Sequence, residues 1–245
     1  MRADFHRQLQ NAFSSWWREH SRAKGAPAAT SLLLAELWGF LRDTTPDRRR
    51  SRYGDMDYDW EHRVNTTSGT VGWQERLLGI FHSPYQPSDP SAFREMMAAL
   101  PIDFREFTFI DIGSGKGRAL LMASEYPFQK IAGVELIAEF HRAAEENLAA
   151  YQAQAPAARG RAIESLCMDA REFVFPAAPL VVYLFNPLPE ARLRQVLRNL
   201  EESCRKTPRP VWIVYHNPAL ESALAVSQWL QRVSRTEHYS LYRTT

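Results

Sequence analysis

Cysteine is almost missing from this chain of 245 residues: Cys167 and Cys204 are the only two. They lie far apart and without metal-ligand spacing, which argues against a disulfide framework or a zinc site and for a reducing compartment. A strong charge of one sign is missing as well. The formal net charge of +2 is too small to call for nucleic acid or an anionic membrane as partner. Long apolar runs are missing too. The longest near the N-terminus, LLLAELWGFL at 32–41, is interrupted by Glu36 and is far too short to span a bilayer. It follows no short basic region and precedes no A-x-A site, so a secretory signal is not expected. The basic, amphipathic first 22 residues leave a transit peptide as the alternative to a cytoplasmic location, which is the expected one. No internal repeat or low-complexity tract is visible.

What is there is an ordinary globular composition, 45% hydrophobic and 24% charged, in a length that suits one large domain with an extension. Phe5, Leu9, Phe13, Trp16 and Trp17 recur at helical spacing and predict an amphipathic helix over 3–20 that docks on the main domain or binds a partner. A second helix is predicted over 31–42, after the breaker-rich AKGAPAAT. The basic and acidic blocks of DRRRSRYGDMDYDWEHR (47–63) neutralise each other and read as a solvated, partly ordered connection. VNTTSGTVGW (64–73) and SPYQPSDP (83–90) read as loops, the second leading into a helix at 91–99 capped by Asp89 or Ser91.

From Phe107 the pattern becomes regular. Apolar runs at 107–112, 130–135, 163–168, 180–185 and 211–215 read as buried strands. Helical patterns lie at 117–126, 138–153, 189–205 and 219–231, and only a short turn fits 169–179. Alternating strands and helices predict a doubly wound α/β fold, a mostly parallel sheet covered on both faces. A final hairpin within 232–244 brings the sheet to seven strands. The expected division is a helical N-terminal extension with its loop over 1–82 and a ligand-binding domain over 83–245.

FTFIDIGSGKGRALL (107–121) poses the functional question. A phosphate-binding P-loop requires Ser or Thr after its lysine, and Lys116 is followed by Gly117, so that reading fails. The dinucleotide fingerprint G-x-G-x-x-G accommodates Gly113 and Gly115 but meets Arg118 where close helix–strand packing asks for glycine. What remains is Asp111-x-Gly113-x-Gly115-x-Gly117, an acid ahead of three alternating glycines. This resembles the first motif of class I S-adenosylmethionine-dependent methyltransferases. DIGSGKGR together with GVEL and YLFNP looks most like a poorly characterised bacterial branch of that class. It is also similar to seven-strand protein-lysine methyltransferases.

The resemblance, which covers about 107–245, implies a set of roles. S-adenosylmethionine, a cation carrying an ammonium and a sulfonium, would lie against the turn opened by Asp111, with Ser114 and Lys116 in the same loop. Lys116 itself reads as a solvated side chain, its contact to the cofactor carboxylate being the lesser alternative. Glu135 would accept the two ribose hydroxyls, with Leu136 beside it. Asp169 and Ala170 would meet adenine, unless Asp169 is only a helix cap. Asn186 and Pro187 would form the loop beside the transferred methyl, unless they are a plain turn, and Tyr85 would help close the site. Asn186 and His216 are the catalytic candidates, His216 as a base or as a structural histidine, with Asn217 beside it on the same edge. No metal is expected. Asn186-Pro187-Leu188-Pro189 departs from the N/D-P-P-Y/F/W motif of amide methyltransferases, which argues against a nucleobase and for a protein side chain or a small molecule. A non-catalytic module that binds the cofactor and recruits a partner through its helices is the alternative function. Oligomeric state is left open.

Overall fold

The computed structural model describes residues 2–42, 56–67, 85–154, 162–186, 188–225 and 227–245. The chain divides into two units, one of Met1–Met56 with Thr67–Gln86 and one of Asp57–Thr66 with Pro87–Thr245. In the first, α1 (Arg2–Lys24) and α2 (Ala26–Arg42) form an antiparallel-type pair joined at one residue. Gly25 makes that junction with φ 82°, a left-handed value that a side chain resists. Ala12 and Trp16 are buried there, with Leu9, Trp17, Leu32 and Leu33 packed around them. Pro27 sits in the first turn of α2, where its missing N–H costs nothing. The expected break over AKGAPAAT is therefore a single residue, and both helices run longer than their apolar stripes.

The second unit is built on β1 (Thr108–Ile112), β2 (Lys130–Glu135), β3 (Ile163–Cys167), β4 (Leu180–Phe185), β5 (Val211–His216), β6 (Leu230–Arg235) and β7 (Tyr239–Thr244). The sheet order is β3-β2-β1-β4-β5-β7-β6. The first five strands pair in parallel, and β7 runs antiparallel to both β5 and β6. This is the doubly wound seven-stranded sheet expected from the alternation of strands and helices. Its order reverses between β1 and β4, where ligands bind such sheets beyond the carboxyl ends of the strands.

Alternation along the strands sorts the side chains into two layers. Phe109, Ile131, Val181, Tyr183, Trp212 and Val214 face one core, which α4 (Pro90–Ala98), α5 (Arg118–Ala123) and α6 (Ala138–Gln154) cover. Ile110, Ile112, Val182, Leu184, Ile213 and Tyr215 face the other, under the 3-10 turn Ala170–Glu172 and α7 (Glu190–Lys206). α7 docks through Leu193, Val196, Leu197 and Leu200, a helical stripe that is buried throughout. Each such buried aliphatic side chain contributes roughly 1.5–3 kcal/mol. α4 starts where Asp89 accepts the Ala92 N–H (2.9 Å) and Pro90 takes the first position.

Two expectations are corrected. The helix expected over 219–231 is only α8 (Ser222–Ala225), and its last two residues, Leu230 and Gln231, open β6. Leu230 is buried in the sheet's core; a buried apolar position shared by a helix pattern and a strand pattern does not discriminate them. The stretch expected as a solvated, partly ordered connection is ordered over α3 (Met56–His62), and the correction is that Tyr58 and Asp59 there are buried rather than solvated. The basic run at 48–52 and residues 68–73 of the expected loop lie outside the described residues. Among the described residues, no helix is long and apolar enough to cross a membrane.

Candidate functional site

β1 ends in a loop that no ordinary residue sequence could follow. Gly113, Gly115 and Gly117 have φ of 77°, 54° and 84°, three left-handed residues within five. The N–H groups of Gly113 and Ser114 donate to the Val134 carbonyl (2.8 and 3.1 Å), folding the loop onto the end of β2. Gly133 lets it come that close: a Cβ there would stand 2.6 Å from Ser114 Oγ and 2.7 Å from Ser114 Cβ. Ser114 Oγ is buried without a hydrogen-bond partner among the described residues. The loop then becomes α5, whose Leu121 N–H donates to the Gly117 carbonyl (3.1 Å).

Two carboxyls stand at this edge. Glu135 closes β2, accepting the N–H of Gly115 on Oε2 (2.8 Å) and that of Ile137 on Oε1 (2.7 Å). Each oxygen keeps a second lone pair. Burial raises its pKa, and the three backbone N–H groups around it hold the rise in check. Asp111 pairs in register with Gly133 on one side and Tyr183 on the other. It is buried, and among the described residues no hydrogen-bond donor meets its carboxyl. Burial and then the like charge of Glu135 push it up to about 8. A buried carboxyl without a donor, beside a second acid, is a place that a cation or a proton must fill.

The loop is held from outside by residues that the sequence reading passed over. Arg118, 2% exposed, pairs with Asp59 (3.0 Å) and donates from Nε to Thr66 Oγ1 (2.6 Å). Thr66 in turn donates its N–H to Asp59 Oδ2 (2.6 Å) and its hydroxyl to Oδ1. The guanidinium also lies 5.0 Å from the centre of the Tyr58 ring. Asn147 of α6 accepts the Asn65 N–H (2.7 Å) and donates to the carbonyls of Asn65 (3.1 Å) and Lys116 (3.0 Å). The arginine that spoils the dinucleotide pattern is thus a buried anchor for 59–66. The one available signal was its place at the start of an otherwise apolar helix. Lys116 is corrected likewise: it is buried, 4% exposed, and not a solvated loop side chain.

On the other side of β1 the ends of β4 and β5 meet. Asn186 follows β4 with φ 44°, a left-handed value that asparagine tolerates better than most. Its Oδ1 accepts from the Tyr215 hydroxyl (3.1 Å) and the Ala219 N–H (3.2 Å), which uses both lone pairs. His216 is stacked on Phe185, ring centres 4.1 Å apart. Its Nδ1 shares a hydrogen bond with Tyr183 (2.8 Å), whose hydroxyl also meets Ser88 Oγ (2.8 Å). Burial lowers its pKa to about 4 against the opposing pull of Asp89, so the imidazole is neutral at pH 7. Asn217, next in the chain, also takes a left-handed φ, 48°.

The remaining expected residues fall as follows. Leu136 is exposed beside Glu135, and Ala170 is buried in the 3-10 turn. Asp169 caps that turn through the Arg171 N–H (2.9 Å), and Arg171 engages both its oxygens (2.6 Å at the closest). Burial disfavours its ionisation, but the bonds and charge of Arg171 prevail and hold it below the ordinary range. Tyr85 belongs to the first unit. Pro187 lies outside the described residues.

No family model and no curated protein matches the sequence. Among solved structures, a ribosomal protein L11 methylase from Lactobacillus delbrueckii subsp. bulgaricus is similar at TM-score 0.42 and 18% identity, over 62% of this chain and 75% of that one. An RNA methyltransferase from Salinibacter ruber, in complex with S-adenosyl-L-homocysteine, is similar at TM-score 0.43 and 20% identity, over 64% and 92%. A putative methyltransferase from Pseudomonas syringae is similar at TM-score 0.45 and 13% identity, over 63% and 96%.

Proposed function

We propose that the chain is an S-adenosylmethionine-dependent methyltransferase acting on a protein side chain or a small molecule. The single observation that carries this reading is the pair of buried carboxyls, Asp111 and Glu135, on a loop of three left-handed glycines at the reversal of the strand order. The residues fit the cofactor. Asp111, short of a donor, suits its ammonium, and the spare lone pairs of Glu135 suit a vicinal diol. A dinucleotide fits worse, because its pyrophosphate would bring more negative charge to two acids. The one guanidinium at the helix start, that of Arg118, is already paired with Asp59.

When bound, the cofactor supplies an electrophilic methyl on a sulfonium whose departure as a neutral thioether needs no acid. What the protein has to do is hold, orient and exclude water. Asp111 and Glu135 hold the charged and hydroxylated parts, and the glycines let the backbone approach. Asn186 uses its acceptor oxygen to order the 215–220 turn, so orienting a planar NH₂ group would fall to other atoms. This supports an acceptor other than a nucleobase amine. His216, neutral at pH 7, is a weak base with its ring fixed by Phe185 and Tyr183. It suits hydrogen bonding to the acceptor better than proton storage. Calorimetric titration with S-adenosylmethionine and, separately, NADH tests the cofactor. Saturable binding of the first alone, weakened in Glu135→Ala, supports the reading, and binding of NADH alone overturns it. Transfer of a labelled methyl to any acceptor separates an enzyme from a non-catalytic module.

A further inference from the structure

Ser88, Tyr183 and His216 form a buried chain of polar groups at the sheet edge that carries Asp111. Strand alternation places Asp111, Tyr183, Phe185 and His216 on one face, since Asp111 pairs in register with Tyr183 and Phe185 with His216. β5 lies two strands over from β1, about 10 Å. Packing holds both rings. Tyr183 stands edge-on to Phe93 with centres 5.6 Å apart and stacks on Phe109 at 6.0 Å, while His216 stacks on Phe185.

The bonds from Ser88 Oγ to the Tyr183 hydroxyl and from that hydroxyl to His216 Nδ1 share one phenol hydrogen, so they admit two directions. In the first, Nδ1–H donates to the phenol oxygen and the phenol donates to Ser88. The Ser88 hydrogen, in the interior, then has no acceptor among the described residues. In the second, Ser88 donates to the phenol oxygen and the phenol donates to Nδ1. Every hydrogen of the chain is then satisfied, and the phenol meets the more basic of its two neighbours. Burial raises the Tyr183 pKa well above its ordinary value, so the phenol keeps that hydrogen. The second direction puts the proton of the neutral imidazole on Nε2. This nitrogen has no hydrogen-bond partner among the described residues, yet it is not closed off from solvent.

We propose that Tyr183 is a positioning residue that fixes His216 as its Nε2–H tautomer, and that this N–H holds a carboxylate oxygen of the methyl acceptor. The carboxylate rests on the methyl-transfer reading; the tautomer does not. An amine has one lone pair, which the incoming methyl needs, so an N–H donor on it would compete with transfer. A carboxylate oxygen has a second lone pair for the donor. It also needs no base, which suits a ring whose free nitrogen already carries a proton. One oxygen lone pair forms the new C–O bond, and the C–S electron pair departs with the neutral thioether. The product is a methyl ester, and no proton moves. An acidic side chain and a small organic acid offer the same group.

The test is nitrogen NMR of the full chain, labelled in its histidines, at pH 7, with His216 identified by the signal lost in His216→Gln. The parent should show Nε2 protonated and Nδ1 bare. Ser88→Ala should leave this unchanged, because the phenol keeps Nδ1 as its acceptor. In Tyr183→Phe the Nδ1 signal should shift toward that of a nitrogen without a hydrogen bond. A melting curve checks that this variant folds, and the parent and Ser88→Ala decide the tautomer in any case. Acetate and, separately, N-acetylglutamic acid methylamide should shift Nε2 saturably, and methylammonium should not. Tighter binding of acetate assigns a small acid, and tighter binding of the glutamate derivative assigns a protein side chain; both uphold the carboxylate. A proton on Nδ1 in the parent or in Ser88→Ala overturns the assignment, as does an Nδ1 signal that Tyr183→Phe leaves in place. So does an Nε2 that ignores both carboxylates or responds to methylammonium. None of these measurements uses the cofactor, so failure of the methyl-transfer reading, seen as no binding of S-adenosylmethionine, is told apart from failure here.

Discussion

Asp111 gives the cofactor assignment a quantitative test through pH. With its carboxyl raised to about 8, about nine in ten molecules carry the proton at pH 7 before ligand arrives. A ligand cation beside it favours the ionised form, so binding must expel that proton. Affinity then rises with pH up to the free-state value, because protonation competes with the ligand below it. Between pH 6 and pH 7 the competition weakens by about ninefold. The ligand's own amine, with an ordinary pKa near 7.8, removes only a small part of this. The expected gain in affinity for S-adenosylmethionine is therefore about eightfold over that unit, with a net release of roughly 0.8 proton per ligand at pH 7, about 0.9 given up by Asp111 less about 0.1 taken up by the ligand amine. Calorimetry at pH 7 in two buffers of different ionisation enthalpy reads the proton count directly. Asp111→Asn should flatten the dependence and weaken binding. Unchanged affinity from pH 6 to pH 7 with no proton released would refute the reasoning. The same shift has a cost without ligand. The folded carboxyl holds its proton more tightly than the unfolded one, at the ordinary 3.8. Its stabilisation is complete below about pH 4 and is lost as pH rises toward 8. Asp111→Asn should thus raise the melting temperature of the free protein at pH 8 by several degrees, and hardly at pH 4.

Other substitutions test the scaffold. Gly133→Ala forces a Cβ within 2.7 Å of Ser114 Cβ and Leu120 Cδ1; it should cost about 1–3 kcal/mol in denaturant unfolding, and adding Ser114→Gly should recover part of that. Arg118→Met strands the buried Asp59 carboxylate and should cost about 3–5 kcal/mol, whereas Asp59→Asn in the same background should return some of it. His216, at about 4, should show no ring titration by NMR between pH 6 and pH 8, and any pH dependence of turnover in that range must come from another group.

The parallel strands were legible because a strand buried on both faces leaves an unbroken apolar run, as in Leu180–Phe185. The loop was legible because left-handed backbone demands glycine, and Gly113, Gly115 and Gly117 all have it. What holds the loop was not legible. Asp59 and Arg118 are 59 positions apart in the chain, and nothing local marks Asp59 as the partner among the acids of 55–61. Gly133 looked like any strand residue, since only the close approach of Ser114 makes it indispensable. α8 and β6 were misread because a short apolar stretch satisfies both periods until its neighbours are known. Lys116 shows the same limit: a lysine between glycines reads as solvated, and only the tertiary fold buries it.

The sheet unit is not contiguous in the chain, since Asp57–Thr66 belongs with Pro87–Thr245 and 67–86 lies between them. Cutting the gene at Pro87 to obtain a minimal fragment of the sheet unit would keep every strand and the whole glycine loop. It would also delete Tyr58, Asp59, Asn65 and Thr66, taking the Asp59 carboxylate from the buried Arg118 guanidinium and leaving the Asn147 side chain only the Lys116 carbonyl of its three partners. A fragment that looks complete by its motifs would therefore be expected to misfold or aggregate. A workable one must start ahead of Asp57 and carry the intervening segment, or replace it by a linker long enough to rejoin Thr66 to Pro87.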